Sequence, residues 1–285
     1  MQQERVAERV YFFQSEIYAQ VTAGIVAGPD MAVLIDTLVP EESLKIKQFA
    51  ERELQVPIRY IINTHYHADH SWGNAIFPDA LVIAHAKCYE LQVERGLPSF
   101  EQEKKKNSQL AELSLRLPQI TFDEGILKLA VGKKTLQLVH LPGHSPDNIG
   151  VFLEEDRVLF SGDSYMPLPY LVDGDIDELF VSLKQIAKMG LENLVPGHGD
   201  IVLRGEIEGA LKGSQDYLSF IRKEVRKAGR LKYPLDHLEN VTVEDAGKSR
   251  VLISGLAEEL HYNNLTALYR HYYEKNPEGS ELFYN

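Results

Sequence analysis

Three histidines and an aspartate fall within the six positions that follow Thr64 in Thr64-His65-Tyr66-His67-Ala68-Asp69-His70, directly after the apolar run Ile58 to Ile62. In an extended segment alternate side chains share a face, so His65 and His67 can pinch one cation between them. A turn after Ala68 would let Asp69 and His70 offer an oxygen and a nitrogen to a second cation close by. Nitrogen and oxygen donors without thiolate suit zinc, iron or manganese. The chain has only 10 His in 285 residues, so three in six positions reads as a ligand cluster rather than a polar loop.

Three more ligand-type side chains stand at the ends of apolar segments. His144 lies in Leu141-Pro142-Gly143-His144-Ser145-Pro146, after Thr135 to His140. Asp163 lies in Phe160-Ser161-Gly162-Asp163, after Val158 to Phe160, and His198 lies in Val195-Pro196-Gly197-His198-Gly199-Asp200, after Leu191 to Val195. Glycine or proline beside each of them turns the backbone sharply. One such loop is weak, since Pro-Gly marks turns everywhere. Four strand-end loops can converge on one site at the edge of a sheet.

These motifs, in this order, resemble those of the metallo-β-lactamase-fold hydrolase superfamily. The resemblance runs from about Tyr11 to about Gly205 and takes in Val33-Leu34-Ile35-Asp36-Thr37 as the early strand motif. It implies an α+β fold, the four-layer αβ/βα sandwich. It also implies that His65, His67 and His144 hold a first metal, that Asp69, His70 and His198 hold a second, and that Asp163 bridges both. The ligand set is most similar to the glyoxalase II and lactonase branches. True β-lactamases of this fold carry Cys or Ser where Asp163 stands, and flavodiiron proteins carry Glu where His67 stands.

The expected cofactors are therefore two divalent ions per chain, zinc first and iron or manganese next. Such a pair depresses the pKa of a shared water from 15.7 toward about 7 and supplies hydroxide at neutral pH. The expected reaction is hydrolysis of an ester, thioester or lactone. No serine or cysteine arrangement in the chain calls for a protein nucleophile. By family analogy Asp69 steers a proton to the leaving group. Asp36 reads as an acceptor that orients a ligating imidazole. Tyr165-Met166-Pro167-Leu168-Pro169-Tyr170 follows the bridging aspartate, so Tyr165 or Tyr170 is a candidate donor to a developing oxyanion. Trp72 and His85 are further candidates for residues behind the ligands. The alternatives are a persulfide-oxidising dioxygenase with a single iron, and a phosphodiesterase or nuclease of the same fold.

Composition limits the partners. The net charge is −12, and the basic runs Lys104-Lys105-Lys106 and Arg222 to Arg230 are interleaved with acids. Nucleic-acid processing needs clustered cations, so a small-molecule substrate is expected instead. No apolar run approaches the roughly 18 to 20 residues of a membrane helix. The start Met1-Gln2-Gln3-Glu4-Arg5 lacks the pattern of a secretory signal, and the single Cys88 cannot form an internal disulfide, so a cytoplasmic protein is expected.

Periodicity supplies the elements that must carry the ligands. A β-meander ends in Ala32 to Asp36, a helix covers Glu41 to Leu54, and a strand covers Ile58 to Ile62. A short helix begins near Ser71, strand Leu81 to Ala84 leads into a helix from His85 to Glu94, and Phe100 to Leu117 has helical spacing. Short strands follow over 121–122, 127–129, 135–140, 149–153 and 158–160, then a helix over Ile176 to Lys188 with Asp175 as its N-cap. Residues 1–204 are expected to form the catalytic domain. Residues 205–285 are expected to be a helical C-terminal extension, with long helices over Glu206 to Ala228 and Leu256 to Tyr273. It is expected to supply no metal ligand and to cover the pocket or form a homo-oligomer face; His237, His261 and His271 in it read as isolated.

Overall fold

In the computed structural model, residues 1–274 are described, the side chain of Gln109 excepted. Two mixed sheets stack face to face with helices on both outer surfaces, the four-layer α+β architecture expected. The first sheet is sequential: β1 (Gln2–Ala7), β2 (Val10–Gln14), β3 (Thr22–Ala27), β4 (Ala32–Ile35), β5 (Ile58–Ile62), β6 (Leu81–His85) and β7 (Ile120–Phe122). Its pairings are antiparallel through β4 and parallel from β4 to β7. The second runs β13-β12-β11-β10-β9-β8, built from β8 (Ile126–Val131), β9 (Lys134–His140), β10 (Ile149–Leu153), β11 (Val158–Phe160), β12 (Asn193–Val195) and β13 (Val202–Leu203).

The period-two alternation of the strands explains the layering. In β4, Val33 and Ile35 point between the sheets and meet Leu136, Val151 and Phe160 of the second sheet. Ala32 and Leu34 point outward and pack with Ile46 of α1 (Pro40–Phe49). All four residues are buried, so β4 is an uninterrupted apolar run.

On the outside of the second sheet, Leu159 and Leu194 pack against α5 (Ile176–Ala187), which starts where the Asp175 carboxylate accepts from the Asp177 and Glu178 N–H groups. That cap is worth about 1 kcal/mol. Three smaller helices lie along the first sheet: α2 (Ala68–Ser71), α3 (Ala86–Leu91) and α4 (Leu97–Lys104). Beyond them α6 (Arg204–Ala228), α7 (Pro234–Glu239) and α8 (Ala257–Tyr273) place Tyr217, Leu218, Ile221 and Leu265 in the same apolar cluster as α5 and the sheet. The C-terminal helices thus share a core with the strands that precede them. Residues 275–285 of the expected extension lie outside the described residues.

The helical spacing of Phe100 to Leu117 is only partly realised. The α-helix ends at Lys104, and one short turn covers Ser108–Leu110. The rest is held extended by tertiary bonds: the Arg116 guanidinium donates to Phe77 O and Ala80 O, and its carbonyl accepts from Asn74 Nδ2. Phe100, Leu110 and Leu115 are buried together, so the apolar positions are used without the helix. Among the described residues no helix is long and apolar enough to cross a membrane.

Candidate metal centre

The ligand-bearing loops emerge at one edge because the strands that feed them run the same way. β4 and β5 are parallel, as are β11 and β12. β9 is related to β11 through two antiparallel steps and so points with it. Asp36, His65 to His70, His144, Asp163 and His198 all follow the ends of these strands. The two sheets are tied together at this edge by Thr22 N–H donating to Gly197 O at 2.8 Å and by the Val21–His198 bridge.

Two glycines are required by close approach. A Cβ on Gly197 would sit 1.8 Å from Asp163 Oδ1, so only glycine lets the aspartate face the histidine loop. Gly143 has φ +130°, and a Cβ there would meet the Leu179 backbone at 2.3 Å.

All seven residues expected as ligands converge. One group comprises His65, His67, His144 and Asp163, the other Asp69, His70 and His198; within each group one donor atom per residue lies within 4.8 Å of the others. Asp163 lies between the groups: Oδ1 is 3.4 Å from His70 Nε2, and Oδ2 is 3.3 Å from His144 Nε2 and 3.4 Å from His198 Nε2. Asp69 Oδ2 is 3.4 Å from His198 Nε2 and 3.8 Å from His70 Nε2.

Each imidazole has its outer nitrogen occupied by an acceptor. His70 Nδ1 donates to Asp36 Oδ2 at 2.8 Å, His144 Nδ1 to Tyr170 O at 2.9 Å and His198 Nδ1 to Ala19 O at 2.8 Å. His67 Nε2 donates to Asp173 Oδ2 at 3.1 Å. The Thr64 hydroxyl gives its proton to Asp36 Oδ2 and so accepts from His65 Nδ1 at 3.0 Å. Asp36, which takes a left-handed φ of +54°, thereby holds two of the imidazoles, His70 directly and His65 through Thr64.

With the outer nitrogens protonated, the inner ones carry lone pairs. His67 Nδ1 is then 3.0 Å from both His65 Nε2 and His144 Nε2, with no proton to share. His70 Nε2 and Asp163 Oδ1 are buried and make no hydrogen bond to any described residue. Lone pairs facing lone pairs around orphaned acceptors fit a bound cation, and the nitrogen–oxygen donor set fits a divalent one.

The electrostatics agree. Burial opposes the charged form of His70, yet Asp163, Asp69 and Asp36 outweigh it and push the imidazole up to about 10. Burial also opposes ionisation of Asp163, but His198, His70 and His144 hold its carboxyl well below the usual range. His144, where burial dominates, is pushed down to about 4. The three carboxylates thus favour a positive charge at His70, and a bound metal ion would supply it in place of a proton.

Asp173 has no sequence motif, and the reading of the chain passed over it. It accepts from His67, from the Tyr66 hydroxyl and from Arg95 Nη1 at 3.4 Å. Burial works against its charge, but the His67 bond and charge hold its carboxyl well below the ordinary range. Asp173→Ala is expected to weaken metal binding by about 10- to 100-fold, because the His67 ring loses the acceptor that fixes its tautomer. Chelator competition measures this, and wild-type affinity would mean that packing alone orients His67.

Trp72 and His85 are found elsewhere: Trp72 packs edge-on to Phe100 at 5.2 Å, and His85 stacks on His140 at 4.2 Å and caps α3. The Tyr170 ring lies 6.2 Å from that of His144, with Asn263 within hydrogen-bonding reach of its hydroxyl. Tyr165 is buried, and burial pushes its phenol up to about 12.

The model of the metallo-beta-lactamase superfamily matches residues 18–198. The chain is 27% identical over 172 residues to the Beta-lactamase-like protein 2 homolog of Caenorhabditis elegans, covering 60% of this chain and 52% of that protein. It is 28% identical over 150 residues to the Lactamase-like protein aptB of Emericella nidulans, covering 53% and 41%. The chain thus spans about half the length of the curated relatives it matches. Among solved structures, a metallo-beta-lactamase from Pontibacter korlensis superposes with TM-score 0.62 at 20% identity, covering 75% of this chain and 98% of that one. The sec-alkylsulfatase Pisa1 from Pseudomonas sp. superposes with TM-score 0.72 at 16% identity, covering 97% and 51%, so the likeness in fold reaches into the C-terminal helices.

Proposed function

The chain belongs to the metallo-beta-lactamase superfamily, whose members are generally hydrolytic, and from that membership we propose that it is a two-metal hydrolase of esters, thioesters or lactones. The observation that carries the proposal is the set of five imidazoles, each with its outer nitrogen turned to an acceptor and its inner nitrogen turned toward the others and toward Asp163 and Asp69. His65, His67 and His144 would hold one ion, and Asp69, His70 and His198 the other, with Asp163 reaching both. Bound divalent ions at such a site acidify water and polarise a carbonyl oxygen.

The chain's own groups do the rest. Asp36, Asp173, Tyr170 O and Ala19 O hold the imidazoles in the tautomer that presents a lone pair inward. Asp69 keeps 15% of its side-chain surface open, against 4% for Asp163, so it is the carboxylate placed to pass a proton to a leaving group. Asp163 in the bridging position supports the glyoxalase II and lactonase reading over β-lactam hydrolysis. Ile17 and Tyr18, exposed beside the Ala19 carbonyl that holds His198, offer an apolar rim to an acyl chain. Zinc is the proposed metal, since its tolerance of mixed nitrogen and carboxylate ligands matches both groups.

Tyr165 or Tyr170 is proposed as the donor to the oxyanion. Changing the responsible residue to Phe is expected to lower kcat by tenfold to a thousandfold, roughly the effect of losing an oxyanion donor. Unchanged kinetics in both variants would return the tyrosines to packing alone. The reaction class is tested by assaying the zinc-loaded full chain against a thioester, a lactone, an activated ester, a β-lactam and a phosphodiester. Turnover is expected on one of the first three and should vanish with chelator. Turnover of the phosphodiester far above all the others would overturn the proposal.

A further inference from the structure

The geometry points to Asn264, on α8 of the C-terminal helices, as a positioning residue for the metal centre that acts through His144. The inference rests on the reading of His144 as a ligand. No helix or strand holds the segment between Tyr165 and Asp175, yet its Tyr170 carbonyl receives the His144 Nδ1 proton at 2.9 Å. Asn264 grips that carbonyl's own peptide unit and the one before it. Its Oδ1 accepts from Leu171 N–H at 2.8 Å, and its Nδ2 donates to Pro169 O at 2.7 Å.

The amide is used in full and in one orientation. The second Nδ2 proton goes to the Tyr217 hydroxyl at 2.9 Å, and that hydroxyl also shares a hydrogen bond with His261 Nδ1 at 3.0 Å. Asn264, Tyr217 and His261 are all buried, so each of these bonds is made away from water, where an unmade one is costly. Asn264 is therefore anchored in the buried helical core, and its own bonds to the peptides flanking Tyr170 connect that core to His144. Lys248 Nζ adds a second hold from the same helical region, donating to Pro167 O at 2.7 Å. The same loop carries Asp173, the acceptor for His67. The C-terminal helices contribute no ligand among the described residues, but they hold the segment whose Tyr170 carbonyl accepts from His144.

The test compares Asn264→Leu, Tyr217→Phe and His144→Ala in the full chain, using zinc affinity by chelator competition and the visible spectrum of the cobalt-substituted protein. Asn264→Leu keeps the volume and removes the clamp; it is expected to weaken the tighter zinc step by about tenfold, the low end of the effect of lost outer partners, and to shift the cobalt bands. Tyr217→Phe also removes a buried hydrogen bond from the same core but leaves the grip on the loop, so its affinity is expected within about twofold of wild type. Asn264→Asp, which retains an acceptor for Leu171 N–H, is expected to lie between and supplies the comparison if Asn264→Leu does not fold.

Wild-type affinity and cobalt spectrum in both Asn264 variants, with His144→Ala impaired, would overturn the clamp and leave the ligand reading standing. An equal loss in Tyr217→Phe would also overturn it, because the cause would then be a loosened core. Intact zinc binding in His144→Ala would overturn the ligand reading itself and the clamp with it.

Discussion

Asp163→Ala is expected to deplete both halves of the metal centre at once. Its carboxylate reaches both groups, Oδ2 lying near His144 of the first and His198 of the second and Oδ1 near His70 of the second, and no other described carboxylate has donor distances to both. Alanine removes that bridge and also a charge that offsets the pull of three buried imidazoles. Affinity at each half should fall by more than about 100-fold, beyond the usual effect of losing an outer partner, and hydrolysis should fall with it. His198→Ala, by contrast, should empty mainly the half that Asp69 and His70 share. Anomalous scattering at the metal edge separates the two variants, and two fully occupied positions in Asp163→Ala would refute the bridging role.

His67→Ala is expected to cost nearly as much, for a different reason. His67 Nδ1 is the atom that touches both neighbours of its group, at 3.0 Å from His65 and from His144. A site with three imidazoles loses a third of its nitrogen donors, and its affinity should drop by at least about 100-fold. Asp173 would lose its principal partner as well, so the loop that also carries Tyr170 O should loosen. Metal content and turnover in the purified variant provide the check. Wild-type values for both would remove His67 from the centre.

The parts of the site made of side-chain chemistry were legible in the sequence. His65 to His70 announce themselves by residue type and spacing, and His144, Asp163 and His198 by the turn residues around them. Asp36 could be read too, since an acid closing a buried strand needs a polar partner. Backbone acceptors could not be read. Every residue has a carbonyl, so nothing in Tyr170 or Ala19 marks it as the partner of His144 or His198. Asp173 was missed for a similar reason, as one acid in an irregular loop without a motif. Asn264 looks like any polar helix residue until the helix is packed against Pro169 and Leu171.

The fold shows the same division. Alternating strands such as 149–153 and 158–160 carry their own pattern and were placed to the residue. The stretch after Lys104 reads as helix by spacing, but its backbone is committed to Phe77 and Ala80 through Arg116. That bond is long-range, and local periodicity cannot report it. The two long helices beyond residue 204 were legible as helices, whereas α7, where a loop around Tyr233-Pro234 reads from the sequence, and the grip on the segment that carries Tyr170 were not.

The central claim is that two cations share this one centre through Asp163. It is tested most directly by counting metal in the zinc-loaded chain and locating it by anomalous scattering. The account predicts two ions per chain, one among His65, His67 and His144 and one among Asp69, His70 and His198, with density for Asp163 reaching both. A single ion at saturation, above all a single iron in protein purified without added metal, would contradict it and turn the reading toward oxidative chemistry.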